Sequence, residues 1–121
     1  MSTVTTSIDS RGVATLTLDR PEKHNALDGA TMGEMYEALT KLGTDPQARV
    51  VVLTGAGASF CAGADIGHMR SMMNFTEEQN VADAQVLARL LRKLDEFELP
   101  IIARVNGNTF GGGVGLVACA D

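Results

Sequence analysis

The sequence has no tryptophan, one tyrosine and four phenylalanines in 121 residues, so its core is aliphatic. It also lacks an excess of positive charge. Ten basic against 15 acidic side chains leave a formal net charge of −5, which argues against nucleic acid as a partner, because that polymer selects basic patches. No apolar run approaches the roughly 20 residues that a membrane helix requires. The N-terminal "MSTVTTSIDS" has neither a basic head nor an apolar stretch, so no export signal is visible and a cytoplasmic location is the default. Cysteine is scarce: Cys61 and Cys119 read as reduced thiols in such a compartment. With His24 and His68 they form neither CxxC nor HxxxH, which makes a zinc site improbable, and no metal is expected. There is no GK[ST], so a P-loop is excluded.

What is present is ordinary globular material, 45% apolar and 21% charged, enough for one domain with a modest core. Thr3 to Ile8 and Val13 to Asp19 read as strands around the turn "DSRG", with Ala14, Leu16 and Leu18 on one face. Pro21 ends strand character in "RPEKHNAL". Asp28 is a candidate N-cap for a helix whose buried stripe is Met32, Met35, Tyr36, Leu39 and Leu42, with Gly43 placed as its C′ residue and Pro46 preventing resumption. "VVVLTG", Val50 to Gly55, has the continuous apolar pattern of a strand covered on both faces. A loop of small residues, "AGASFCAGADIGHM", follows.

Thr76 and Gln79 form a capping box for a second helix with Leu87, Leu90, Leu91 and Leu94 inward. Pro100 stops it, "IIARV" is another buried strand, Asn106-Gly107 is a turn, and "FGGG" opens an apolar helix. The order β-β-α-β-α-β-α implies an α/β fold with parallel pairing by right-handed crossovers.

Two loops occupy equivalent places, "GAGASFCAGAD" after one buried strand and "NGNTFGGG" after the next. In open α/β sheets ligands sit at the carboxyl ends of strands, so both loops could offer backbone amides to one ligand. The alternative is a pair of plain turns, glycine being first a turn residue. "GAGASF" lacks the third glycine and the following acidic residue of a dinucleotide site. A lone Cys61 offers a nucleophile, but with no paired His in sight it reads as a small core residue; His68 is either a base or a partly exposed helix residue, and reads as the second. Met69, Met72 and Met73 fall on one helix face that serves a core or an adaptable acyl pocket.

In this order, "RPEKHNAL", "VVVLTGAGASFCAGADI" and "LPIIARVNGNTFGGGVGL" resemble the enoyl-CoA hydratase/isomerase (crotonase) superfamily across nearly the whole chain. The resemblance implies a crotonase-like ββα spiral, the ClpP/crotonase fold, of which residues 1–121 would be the N-terminal portion of a single domain. It also implies hydration of a 2-enoyl-CoA, with backbone amides of Ala64 and Gly112 forming an oxyanion hole for the thioester oxygen. By the same resemblance Ala62, Ala64, Asp65, Ile66, Gly67 and Gly112 line the substrate site, and Lys23, His24 and Ala26 contact the pantetheine or phosphate portion of CoA. Lys23 suits a phosphate on charge grounds alone, or is a solvated loop residue. No separate cofactor is implied, coenzyme A being part of the substrate. For a full-length protein the resemblance further implies a homotrimer or dimer of trimers.

One departure stands out. The family's first catalytic glutamate falls on Gly115, and glycine transfers no proton. A carboxylate beyond Asp121 is then expected. Three readings follow: a hydratase, a Δ3,Δ2-enoyl-CoA isomerase or other thioester-enolate enzyme, and a non-catalytic acyl-CoA-binding segment.

Overall fold

The structure, a computed structural model, describes residues 2–121. Strands β1 (Val4–Ile8) and β2 (Val13–Leu18) form an antiparallel hairpin in register from Val4↔Leu18 to Ile8↔Ala14. The Asp9 carboxylate sets its turn by accepting from the amides of Arg11 at 2.8 Å and Val13 at 3.0 Å. Alternation puts Ala14, Leu16 and Leu18 on the inner face, where all three are buried, as the sequence requires.

Helix α1 (Gly29–Thr44) covers that face with Met32, Met35, Leu39 and Leu42. Asp28 caps it by accepting from the Thr31 amide at 2.7 Å. Two expectations need correction here. Tyr36 is 41% exposed, since it lies at the edge of the stripe, where the Lys93 ammonium stands 5.3 Å from its ring centroid. Gly43 lies inside the last turn rather than beyond it; its missing Cβ makes room for the Glu98 carboxylate.

Strand β3 (Val50–Gly55) pairs parallel with β2, and β5 (Ile101–Ala103) pairs parallel with β3, giving the mixed order β1-β2-β3-β5. Val51, Leu53 and Ile101 are buried, but Ile102 on the opposite face is 55% exposed. The strands are thus covered fully on one face only, against the expectation of two. β5 is also shorter than "IIARV": the Arg104 amide still donates to Leu53, but the Arg104 carbonyl accepts the Thr54 hydroxyl, and regular pairing ends at Ala103.

The segment expected to be a loop holds more structure. It contains β4 (Ser59–Cys61), which pairs parallel with β6 (Asn108–Thr109) in a separate two-stranded sheet. It then opens helix α2 (Ile66–Ser71), capped by Asp65 and followed by a 3₁₀ turn, Met72–Asn74. Helix α3 (Glu77–Asp95) carries the capping box at Thr76 and Gln79; it buries Leu90 and Leu94 fully and Leu87 and Leu91 in part. Helix α4 (Gly112–Ala118) closes the described chain. A Cβ on Gly113 would lie 2.7 Å from the Cys61 carbonyl oxygen, so glycine there lets α4 rest on β4.

Candidate active site at the strand ends

Three segments meet where the parallel strands end. The 59–64 segment runs between "RPEKHNAL" on one edge and the 108–112 segment on the other. On the first edge the Ala62 amide donates to the His24 carbonyl at 3.0 Å, the Leu27 amide to Gly63 at 2.7 Å, and the Asp65 amide to Leu27 at 2.9 Å. This Leu27↔Ala64 bridge uses the groups either side of Ala64. In a parallel ladder the remaining amide, that of Ala64, faces the opposite edge. That is the edge on which the glycine tract lies, with Phe110 donating to the Cys61 carbonyl at 3.0 Å and Gly63 close against Phe110 and Gly111. Among the described residues neither the Ala64 nor the Gly112 amide donates to a protein carbonyl or side chain.

Two asparagines, Asn25 buried and Asn106 exposed, hold these segments in place. Asn25 is 1% exposed; its Nδ2 donates to the carbonyls of Ala56 at 2.9 Å and Ser59 at 3.0 Å, and its Oδ1 accepts the Arg20 amide at 2.8 Å. Asn25 and His24 both adopt positive φ, 57° and 51°, which turns the chain beneath the site. From the other side Asn106 Oδ1 accepts the Gly55 amide at 3.1 Å while its Nδ2 donates to Gly57 at 3.1 Å.

Two hollows flank Ala64. One, of about 290 Å³, is walled by Leu27, Met32, Met72 and Leu87, and has Ala64 and Gly112 together on its lining. The other is a groove of about 450 Å³ along the surface. It gathers Lys23, His24, Ala26, Ala62, Ala64, Asp65, Ile66 and Gly67, eight positions singled out in the sequence. Ala64 is common to both. Gly115 lines neither: it stands a turn further along α4, where a Cβ would meet Leu91 at 3.4 Å. Met69 and Met72 line the smaller hollow, but Met73 is 81% exposed, so the methionine face is not core.

Arg20, which the sequence did not single out, organises the charges. Its guanidinium lies 3.1 Å from Asp28 Oδ2 and 3.1 Å from Asp65 Oδ2, and donates to the Ala26 carbonyl at 3.1 Å. No local pattern marked it, because its partners Asp28 and Asp65 are 8 and 45 residues away. The His68 amide, with Arg20 beside it, holds the Asp65 carboxyl below its ordinary range. Partial burial pushes Asp28 up, but hydrogen bonds from Thr31 and the Arg20 charge more than offset this, and it too is lowered. Burial pushes the Cys61 thiol up, in keeping with a core residue. His68 is a partly exposed residue of α2, as expected; in addition its Nε2 lies 2.7 Å from Asp83 Oδ1, and both residues line the smaller hollow.

A parallel strand edge carrying a groove and an adjoining apolar hollow is the arrangement of a small-molecule-binding α/β domain. The sequence matches the enoyl-CoA hydratase/isomerase family over residues 9–121, and the chain belongs to that family. It is 36% identical over 110 residues to the crotonyl-CoA hydratase of Syntrophomonas wolfei, covering 90% of this chain and 41% of that protein. It is 39% identical over 111 residues to the short-chain-enoyl-CoA hydratase of Clostridium acetobutylicum, again covering 90% of this chain and 41% of the relative. Among solved structures, an enoyl-CoA hydratase from Shewanella pealeana superposes with a TM-score of 0.96 at 40% identity, over 99% of this chain and 45% of that one. The fold is therefore crotonase-like, and the chain spans less than half the length of these relatives.

Proposed function

We propose that this chain forms the thioester-binding half of an enoyl-CoA hydratase, which adds water across a 2-enoyl-CoA. One observation carries the reading: two amides with no protein acceptor, those of Ala64 and Gly112, line a single apolar hollow. Reaction at the β-carbon drives charge onto the thioester oxygen as an enolate. Two preorganised donors at that oxygen stabilise the charge by roughly 3–4 kcal/mol each. The acyl group occupies the hollow and the CoA portion the groove, the thioester passing at Ala64. Lys23 makes no ion pair among the described residues and supplies a cation for a CoA phosphate at the groove. Coenzyme A enters as part of the substrate.

Gly115 favours a second reading within the same chemistry. With no carboxylate at that position, a single acid/base group would move a proton between carbons and make the enzyme a Δ3,Δ2-enoyl-CoA isomerase. Exposed Ile102, Val105, Phe110 and Val114 support coverage of the open face by further protein, as in a trimer. Among the described residues no helix is long and apolar enough to cross a membrane.

The test is Gly112→Pro in the intact enzyme that carries this chain. Proline deletes the amide hydrogen, so hydration of 2-enoyl-CoA is expected to fall about a hundredfold or more. Undiminished hydration contradicts the oxyanion role. Consumption of 3-enoyl-CoA without net water addition selects the isomerase.

A further inference from the structure

The hollow that takes the acyl group has apolar walls and two ionisable side chains, and those two are bonded to each other. His68 projects from α2 and Asp83 from α3, with Nε2 to Oδ1 at 2.7 Å and side-chain exposures of 19% and 18%. Largely buried polar groups cost stability unless they are satisfied, and Asp83 satisfies only one of the two ring nitrogens. A carboxylate at Nε2 fixes the proton there, which leaves Nδ1 with a free lone pair. Among the described residues the ring's one hydrogen bond is that of Nε2 to Asp83. The other charged groups near the ring are already paired: Asp65 accepts the His68 amide at 2.9 Å, and Arg20 holds both Asp65 and Asp28. From α1 the ring faces Gly29, which brings no charge; a Cβ there would stand 3.6 Å from the ring Cε1. A base oriented by a carboxylate thus lines the same hollow as the two free amides, in a chain whose position 115 has no acid.

Resting on the hydratase reading above, we propose that His68 is the catalytic base of this site and that Asp83 is its positioning residue. The water oxygen bonds to the β-carbon while its proton passes to His68 Nδ1. The C=C electron pair moves into the thioester as an enolate, whose oxygen rests on the Ala64 and Gly112 amides. The imidazolium then returns the proton to the α-carbon, so one water is added and His68 ends neutral.

Three measurements on the intact enzyme test this. His68→Gln keeps a donor for Asp83 but no base; kcat for 2-enoyl-CoA hydration is expected to fall about a hundredfold or more with KM little changed. Asp83→Asn is expected to lower kcat by less than His68→Gln, again with KM little changed. In the unaltered protein, ¹⁵N imidazole shifts are expected to place the proton of the neutral His68 ring on Nε2, a readout independent of whether a variant folds. Full kcat in His68→Gln, full kcat in Asp83→Asn, or a neutral ring that carries its proton on Nδ1 overturns the proposal. If His68→Gln is fully active while Gly112→Pro is not, the hydratase reading stands and His68 is a structural tie. If both are fully active, both readings fall.

Discussion

Glycines 113 and 115 sit two residues apart on one short helix and should respond oppositely to the same methyl group. At Gly113 a Cβ would be forced to 2.7 Å from the Cys61 carbonyl and 2.9 Å from its Cβ. Overpacking of that kind costs about 1–3 kcal/mol, so Gly113→Ala is expected to lower the denaturation midpoint. At Gly115 the same atom meets Leu91 side-chain carbons at 3.4 and 3.6 Å, an ordinary contact. Gly115→Ala is expected to be neutral or to add about 0.5–1 kcal/mol, because it removes helix-interior glycine. Urea melts of the two variants check both. Asp65 gives a pH-dependent counterpart. Its folded carboxyl is held below the ordinary range by the His68 amide and Arg20, so its charge stabilises the fold above the unfolded carboxylate pKa. That contribution disappears as pH falls through the lowered folded value. Asp65→Asn is therefore expected to be less stable than the native chain at neutral pH, the gap closing in acid. A gap that stays constant across pH contradicts the assignment.

At the scale of elements, α3 shows what local sequence controls. Thr76 accepts the Gln79 amide at 3.2 Å and Gln79 returns a bond to the Thr76 amide at 2.9 Å, the reciprocal cap that the spacing announced. Thr76→Ala is expected to cost about 1 kcal/mol by chemical denaturation, and Thr76→Ser much less. Legibility followed the range of the signal. The hairpin, α1, β3 and α3 were readable because alternation or helical periodicity repeats along each. β4 and β6 were not. Each is two or three residues long, and they exist only because they pair across almost 50 residues of chain, which no local pattern records. Tyr36 and Gly43 were misplaced for a related reason, since what decides them is Lys93 and Glu98 on a neighbouring part of the fold.

For the molecule as a whole, the family motifs marked the groove residues, and the structure collects eight of them there. They gave no role to Arg20 or Asn25, which lie within "RPEKHNAL", and did not include Asp83; the work of all three is done through bonds to distant segments. The chain matches less than half of its relatives' length. The central claim can be tested before turnover, at the thioester oxygen itself. Amide ¹⁵N–¹H shifts would be recorded with an unreactive acyl-CoA thioester, and again with the thioether analogue that lacks the carbonyl. The account predicts that the Ala64 and Gly112 resonances move downfield with the thioester only. Identical responses to both ligands, or none, would contradict it.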